Sequence, residues 1–241
     1  MTVLYGHILP APASVKNEPY GMVRIMSLSE NVQTENVKSE ARRRAILDVA
    51  RAIFLAEGYA ATSMSEIAAR LGGSKGTLYN YFRSKEELFA AFMIETCQGP
   101  ANAVFDRLPP VGDDARAALV ELGAGLLEFI LREESMAVHR LVVAESGRFP
   151  ELGRVFYETG PRLGESRLGE FMRQAMGAGL LRQGDPVEAG RWFKALILSD
   201  IYSRRLWGVI SDPAPAEIRS HAIQAVDIFL AAFGDASKDR D

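Results

Sequence analysis

The sequence has one cysteine, three histidines and no long hydrophobic run, and each shortage excludes a class of protein. A single thiol, Cys97, cannot form an internal disulfide framework, which fits a reducing cytoplasm. No apolar stretch approaches the roughly 20 residues that a membrane-spanning helix needs, so no membrane partner is expected. The first 25 residues lack the basic start and apolar core of a secretion signal.

Residue patterns for catalysis and metal binding are also missing. His7, His139 and His221 are too far apart to pair on one helix, and neither Cys-x-x-Cys nor His-Glu-x-x-His occurs. No nucleophile elbow is present, and the Gly73–Thr77 segment lacks the spacing of a phosphate-binding loop. The sequence therefore predicts no enzyme, no cofactor and no bound metal, with an inert, buried thiol at Cys97.

Charge is unevenly distributed along the 241 residues, although the net charge is only −3. Residues 42–85 carry eight basic and three acidic side chains, a local charge of +5. Residues 99–241 carry 17 basic and 21 acidic side chains, a local charge of −4. A basic segment followed by an acidic one is typical of a DNA-binding region joined to a regulatory region, although charge blocks alone are weak indicators.

Helical periodicity predominates from Ser39 onward, and no segment shows the alternation of a strand, so we expect an all-α fold. An apolar stripe predicts a first helix that ends at Gly58. The next three short helices are delimited by caps and glycines, namely Ser63 with Glu66, Gly72-Gly73, Ser74, and Ser84 with Glu87. Later helices are predicted at 113–132, 134–146, 150–176 with a bend at Gly160-Pro161, 185–209 and 213–233.

These elements predict four segments. The expected order is a mobile tail at 1–38, a helix-turn-helix DNA-binding domain at 39–99 that closes at Gly99-Pro100, a helical effector-binding and dimerisation domain at 100–234, and a C-terminal tail at 235–241.

The second and third helices, joined by a glycine turn, form a helix-turn-helix whose second helix enters the major groove of DNA. The outer face of the predicted helix 75–82 carries donors and aromatic hydroxyls suited to base edges and phosphates, namely Lys75, Thr77, Tyr79, Asn80 and Tyr81. Helix N-termini attract phosphate, and four further residues lie at such ends, namely Ser63, Ser65, Ser74 and Lys85. The expected partner is double-stranded operator DNA.

Gly58–Ala68, Leu71-Gly72 and Ser74–Leu88 together closely resemble the DNA-binding domain of TetR-family transcriptional regulators. The resemblance implies base or phosphate contacts from Lys75, Thr77 and Tyr79, phosphate contacts from Tyr81 and Lys85, and core positions for Leu78 and Phe82. Gly73 departs from the family, which usually has an apolar residue in the turn. The family further implies a homodimer formed by the last two helices and a C-terminal domain that senses a small molecule.

The C-terminal domain gives weaker signals. An effector pocket between its helices should be mostly apolar. Its candidate lining is Phe105, Leu126, Phe129, Leu141, Phe156, Tyr157, Phe171 and Met172. The candidate dimer interface is Trp192, Leu196, Ile201, His221, Ala225 and Phe229. The segment 192–207 is apolar nearly all round, so core, dimer seam and pocket all remain open for it.

The predicted function is a ligand-responsive repressor that leaves a near-palindromic operator when a small effector binds, with the sign of regulation left open. Two alternative functions belong to other classes of protein. One is an architectural DNA-binding protein without an effector, against which the large C-terminal domain argues. The other is an enzyme with an all-helical active site, for which the sequence offers no clustered titratable groups.

Overall fold

The structure, a computed structural model, describes residues 20–108 and 114–235, which form α-helices and one π-helical turn, without a strand among them. The α-helices are α1 (Tyr20–Glu57), α2 (Met64–Arg70), α3 (Lys75–Tyr81), α4 (Lys85–Met93), α5 (Gly99–Asp106), α6 (Ala115–Leu131), α7 (Glu133–Glu145), α8 (Pro150–Thr159), α9 (Pro161–Gly177), α10 (Pro186–Leu206) and α11 (Pro215–Phe233). The all-α prediction is confirmed. In these ranges no helix combines the length and apolarity needed to cross a bilayer.

The first helix begins earlier than the sequence indicated. Residues 20–38, part of the predicted mobile tail, are helical although no helix was predicted there, whereas residues 1–19 and 236–241 lie outside the described residues. Residues 20–38 contain no proline, and a helix extends readily once it has nucleated, even without an apolar stripe. The chain divides into two compact units, residues 1–44 and 45–241, and the features described below belong to the second.

Serine caps start the three short helices as predicted. Ser63 Oγ accepts a hydrogen bond from the backbone N–H of Glu66 (3.2 Å), and Ser74 Oγ accepts one from Thr77 (3.2 Å). Ser84 does the same for Glu87 (3.1 Å). Each cap satisfies an N–H that the first turn of a helix leaves unpaired, which defines where the helix begins.

Aromatic rings hold these helices together. Phe54 of α1 packs edge-on against Phe89 of α4 (ring centroids 5.5 Å apart), and Tyr59 packs against the same ring (5.3 Å). Phe149, which precedes α8, contacts Tyr59 at 5.3 Å. Residues of α7 and α8 also bury their side chains in this core, including Leu152. The helix-turn-helix therefore shares its core with α7 and α8, far along the chain.

The helix that begins at Lys85 does not stop where the sequence suggested. A π-helical turn, Ile94–Gln98, follows α4 directly and leads into α5, so the predicted helix end at Gly99-Pro100 is wrong, while the domain boundary there stays a prediction. Proline is tolerated because Pro100 lies at the start of α5, where its missing N–H is not needed. The sequence pattern had also predicted no helix at residues 99–106, where α5 lies.

A second core lies between α6, α9, α10 and α11. Phe193 of α10 and Phe229 of α11 are fully buried there, with ring centroids 5.3 Å apart. Glycines let α9 and α10 approach closely. A Cβ at Gly190 would lie 3.1 Å from Leu168 Cβ and 3.4 Å from the backbone nitrogen of Gly169. The predicted bend at residues 160–161 is a boundary between two helices, α8 and α9.

Replacing Gly190 by alanine should destabilise the protein although alanine favours helices. We expect Gly190→Ala to lower the free energy of unfolding by about 1–3 kcal/mol because the added methyl group crowds the backbone of α9. Gly177→Ala is the matched control: nothing lies within 4 Å of its Cβ position, so it should raise the free energy by up to about 1 kcal/mol. Urea unfolding measures both, and equal effects would contradict the close approach.

Candidate DNA-reading helix and effector cavity

The third helix presents its predicted reading face to solvent. Lys75, Tyr79 and Asn80 are exposed, and Tyr79 keeps 48% of its surface accessible. Leu78, on the opposite side, is buried in the core, as the resemblance implied. Thr77 is half-buried, and its Oγ1 lies 3.0 Å from Ser74 Oγ. One side of α3 is thus anchored while the other is free to contact DNA.

The other side chains predicted to contact DNA differ in how exposed they are. Ser63, Ser65 and Ser74 are exposed, but the first and last use their hydroxyls as helix caps. Tyr81 is half-buried and packs against the aromatic core. Ser65 therefore has the most accessible hydroxyl of these positions, and Tyr81 offers only part of its ring.

Lys85 has a structural role that the sequence did not indicate. Its Nζ donates to the carbonyl oxygens of Tyr59 (2.8 Å) and Thr62 (2.9 Å) and lies 4.1 Å from the centroid of the Tyr59 ring. Two of its three N–H groups are therefore used within the protein. The ammonium group ties the loop between α1 and α2 to the start of α4.

A cavity of about 270 Å³ lies among α5–α10 and the π-helical turn. This volume is slightly below the range of about 300–1,000 Å³ that is usual for small-molecule sites. Four of the eight predicted lining residues line it, namely Phe105, Leu126, Phe129 and Phe156. The sequence did not predict the other residues that line the cavity, among them Ala101, Ser135, His139, Lys194 and Tyr202.

The other four predicted lining residues lie elsewhere. Leu141 belongs to the core shared with the helix-turn-helix, while Phe171 and Met172 are buried in the core between α6 and α11. Tyr157 is 44% exposed, and its hydroxyl lies 3.4 Å from Glu165. Helical periodicity identifies a buried face but not which of two cores that face meets, so these four assignments are corrected.

No unpaired charge lines this cavity among the described residues. Lys194 Nζ donates to Glu165 Oε1 at 2.8 Å, and this hydrogen bond lowers the pKa of the carboxyl group. Burial raises the pKa of the Cys97 thiol to about 11, so the thiol is protonated and unreactive at neutral pH, as the sequence predicted. Burial also raises the pKa of Tyr202.

His139 also remains uncharged at neutral pH. Burial lowers the pKa of its imidazole to about 4, since a charged ring would lose its hydration. Within the described part of the chain, no three His, Cys, Asp or Glu side chains come together as a potential metal site. The cavity is therefore suited to a mostly apolar guest.

The predicted dimer residues divide into two groups. Ile201, Ala225 and Phe229 are buried within their own chain, so their assignment to the dimer interface is corrected. Both long helices are apolar on several sides, and the sequence alone could not say which side faces α6. Trp192 is 54% exposed, while Leu196 and His221 are half-buried. His221 Nε2 donates to the carbonyl oxygen of Ile197 at 3.0 Å.

An exposed helix-turn-helix joined to an apolar cavity defines a ligand-responsive, DNA-binding transcription regulator. Comparison with known families agrees. The model described as "Bacterial regulatory proteins, tetR family" matches residues 46–92, and the model "AefR-like transcriptional repressor, C-terminal domain" matches residues 117–235. The chain belongs to the TetR family of transcriptional regulators.

Individual relatives cover most of the chain. The solved structure of the flavonoid-responsive regulator FrrA is 32% identical, with a TM-score of 0.70, covering 82% of this chain and 99% of that one. A TetR-family transcriptional regulator from Pseudomonas syringae pv. tomato str. DC3000 is 30% identical, with a TM-score of 0.65, covering 80% and 96%. The transcriptional repressor Rv1474c of Mycobacterium tuberculosis is 25% identical over 164 residues, covering 68% and 82%.

The role of Lys85 can be separated from DNA contact by measuring stability. Lys85→Ala should lower the free energy of unfolding by about 1–3 kcal/mol, because the carbonyl groups of Tyr59 and Thr62 lose their donor. Lys75→Ala, at an exposed lysine on α3, should leave stability within about 0.5 kcal/mol of the parent. Chemical denaturation of both variants is the measurement, and a fully stable Lys85→Ala protein would show that the tie is unimportant.

Proposed function

We propose that this chain is a homodimeric repressor that leaves its operator when an uncharged, mainly apolar effector enters the cavity described above. The observation that carries the proposal is the direct continuation of the cavity wall into α4, the helix that shares a core with α3. Cys97 lies in the π-helical turn and lines the cavity, and the same turn follows α4 without interruption. A change in the cavity therefore acts directly on the base of the DNA-reading unit.

Arg132 supports this coupling from the other side. Its Nη2 donates to the carbonyl oxygen of Thr96 in the π-helical turn (3.2 Å), and its Nε donates to Ser135 Oγ (3.1 Å) in the cavity wall. Next to it, Glu134 pairs with Arg51 of α1 at 2.7 Å. A guest that moves Ser135 would move a side chain that also holds the turn below α4.

DNA binding is assigned to the exposed side of α3. Lys75, Tyr79 and Asn80 are placed to contact the groove, with Thr77 beside them and Ser65 near the backbone. Two such helices in a twofold dimer would meet successive major grooves about 34–36 Å apart, which predicts a near-palindromic operator. Because these contacts require DNA, we place the protein in the bacterial cytoplasm.

Dimerisation is assigned to α10 and α11. Their outward sides carry large apolar groups, since Trp192 is 54% and Ile228 is 59% exposed. Apolar side chains of this size on the surface are typical of the buried centre of an interface. Leu196 lies half-buried one turn beyond Trp192, which extends the same side.

The cavity also distinguishes this proposal from the two alternatives. An architectural DNA-binding protein has no need of an apolar chamber connected to its reading helix. An enzyme would need reactive groups in that chamber, whereas the thiol and imidazole there are held uncharged and the lysine is paired. FrrA is flavonoid-responsive by name, and because the present chain is similar to FrrA, this supports an aromatic effector for it. We therefore propose a regulator without catalytic activity.

Truncating Tyr79 tests the DNA contacts. Fragments selected from genomic DNA by the parent protein would be used for retardation assays. We expect Tyr79→Ala to weaken binding at least about fivefold, since losing one good contact in the groove costs about 1–3 kcal/mol. Tyr157→Ala removes a similarly exposed tyrosine far from α3 and should bind like the parent. Equal retardation by both variants would refute the assignment of α3.

Filling the cavity tests the effector site. N-phenyl-1-naphthylamine, an uncharged dye that fluoresces in apolar surroundings, would serve as the probe. Ala101→Phe places a ring in the cavity and should weaken dye binding at least about tenfold while DNA retardation persists. Ala103→Phe, on the same helix but lining a separate groove, is the control and should bind the dye normally. Undiminished dye binding by Ala101→Phe would place the site elsewhere.

A further inference from the structure

His139 is a polar residue of the cavity wall with a fully buried nitrogen that the fold leaves unpaired. It lies on α7, and its ring meets the edge of Phe156 (centroids 5.1 Å apart) and of Tyr202 (5.5 Å). Its Nδ1 is buried and has no hydrogen-bond partner within the described part of the chain. Most buried polar atoms in proteins do have a partner, so this exception calls for an explanation.

Two other polar side chains of the wall are already occupied. Ser135 Oγ donates to the carbonyl oxygen of Phe129 at 2.7 Å and accepts from Arg132 Nε at 3.1 Å. Lys194 Nζ is held by Glu165 Oε1 at 2.8 Å. A guest that tried to bond with either group would have to break an existing interaction. The imidazole of His139 can form a hydrogen bond without such a loss.

The chemistry of this imidazole selects the kind of partner. Burial keeps the pKa of His139 near 4, so at neutral pH the ring offers one N–H donor and one lone pair. A hydroxyl group can donate or accept, and it therefore suits either tautomer of the ring. An ionised carboxylate would bring a charge into the cavity that no free cation in the wall compensates.

The rest of the wall selects the shape of the guest. Phe105, Phe129 and Phe156 contribute aromatic faces and edges, and Tyr202 adds a fourth ring. Aromatic pairs gain stabilisation from offset-stacked or edge-on contacts beyond the area that they bury. A flat guest can use several of these rings at once within a volume of about 270 Å³.

We infer that His139 is the specificity-determining residue of the effector cavity, and that the effector is an uncharged aromatic molecule whose hydroxyl group hydrogen-bonds to the imidazole. This inference rests on the proposed function, because it assumes that the cavity is the effector site. It goes further in naming the chemical class of the ligand and the side chain that recognises it.

The test compares 2-naphthol with naphthalene, which differ only by the hydroxyl group, as competitors of N-phenyl-1-naphthylamine for the full-length protein at pH 7. In a purely apolar cavity naphthalene binds more tightly, because a hydroxyl group must lose its hydration. With a hydrogen bond to His139, we expect the order to reverse and 2-naphthol to bind at least about threefold more tightly.

Three variants identify the partner of the hydroxyl group. His139→Leu removes both ring nitrogens and should restore the preference for naphthalene, whereas His139→Asn keeps a polar atom near Nδ1 and should retain part of the preference for 2-naphthol. Tyr202→Phe keeps the ring but removes the phenolic hydroxyl from the wall, so it should retain the preference for 2-naphthol whatever its overall affinity.

The outcomes separate the two levels of the argument. If the parent protein itself prefers naphthalene, or if Tyr202→Phe rather than His139→Leu abolishes the preference for 2-naphthol, the inference is overturned while the effector cavity stands. The parent measurement needs no mutation, so it decides even if a variant fails to fold. If the parent binds neither compound nor the dye, the cavity is not an effector site and the proposed function falls as well.

Discussion

Unbroken helical backbone from Lys85 to Asp106 is the constraint on which the regulator depends. Three consecutive elements, α4, the π-helical turn and α5, form this segment without an intervening loop. Its first part packs into the core of the helix-turn-helix, and its later part lines the cavity. A loop at residues 94–98 would absorb a displacement, whereas a hydrogen-bonded helix transmits it. The π-helical turn also departs from the α-helical hydrogen-bonding pattern, and such turns are often found at functional sites.

The two proposed sites differ in their electrostatics, which limits how one can influence the other. The reading helix offers Lys75 to a polyanion, whereas the cavity holds its ionisable groups neutral or paired. An uncharged guest cannot weaken DNA binding by cancelling charge. It can act only by favouring a geometry in which two reading helices no longer fit successive grooves, and the loss of DNA affinity then equals the guest's differential affinity for the two states.

Local signals were the reliable part of the prediction. Each serine cap could be identified because a cap depends only on residues two or three positions away. The exposed face of α3 followed from the same short-range pattern. Signals that depend on distant packing failed more often. Gly99-Pro100 resembled a boundary, yet the chain continues as α5 because proline is compatible with a first helical turn. The phosphate contact of Lys85 stays a prediction, but no local pattern indicated that this side chain bonds two carbonyl groups of a preceding loop.

The sequence by itself determined the family, through the resemblance at residues 58–88, and the all-helical class, through helical periodicity from Ser39 onward. Only the tertiary structure decided which side of each long helix meets the chain's own core. Phe229 proved to be buried and Trp192 exposed because α10 and α11 have apolar groups on several sides, and the packing of α6 covers one of them. The cavity also depends on the tertiary structure. Packing of α7 against α10 places His139 beside Tyr202, two residues far apart in the chain, and no local sequence pattern predicts that contact.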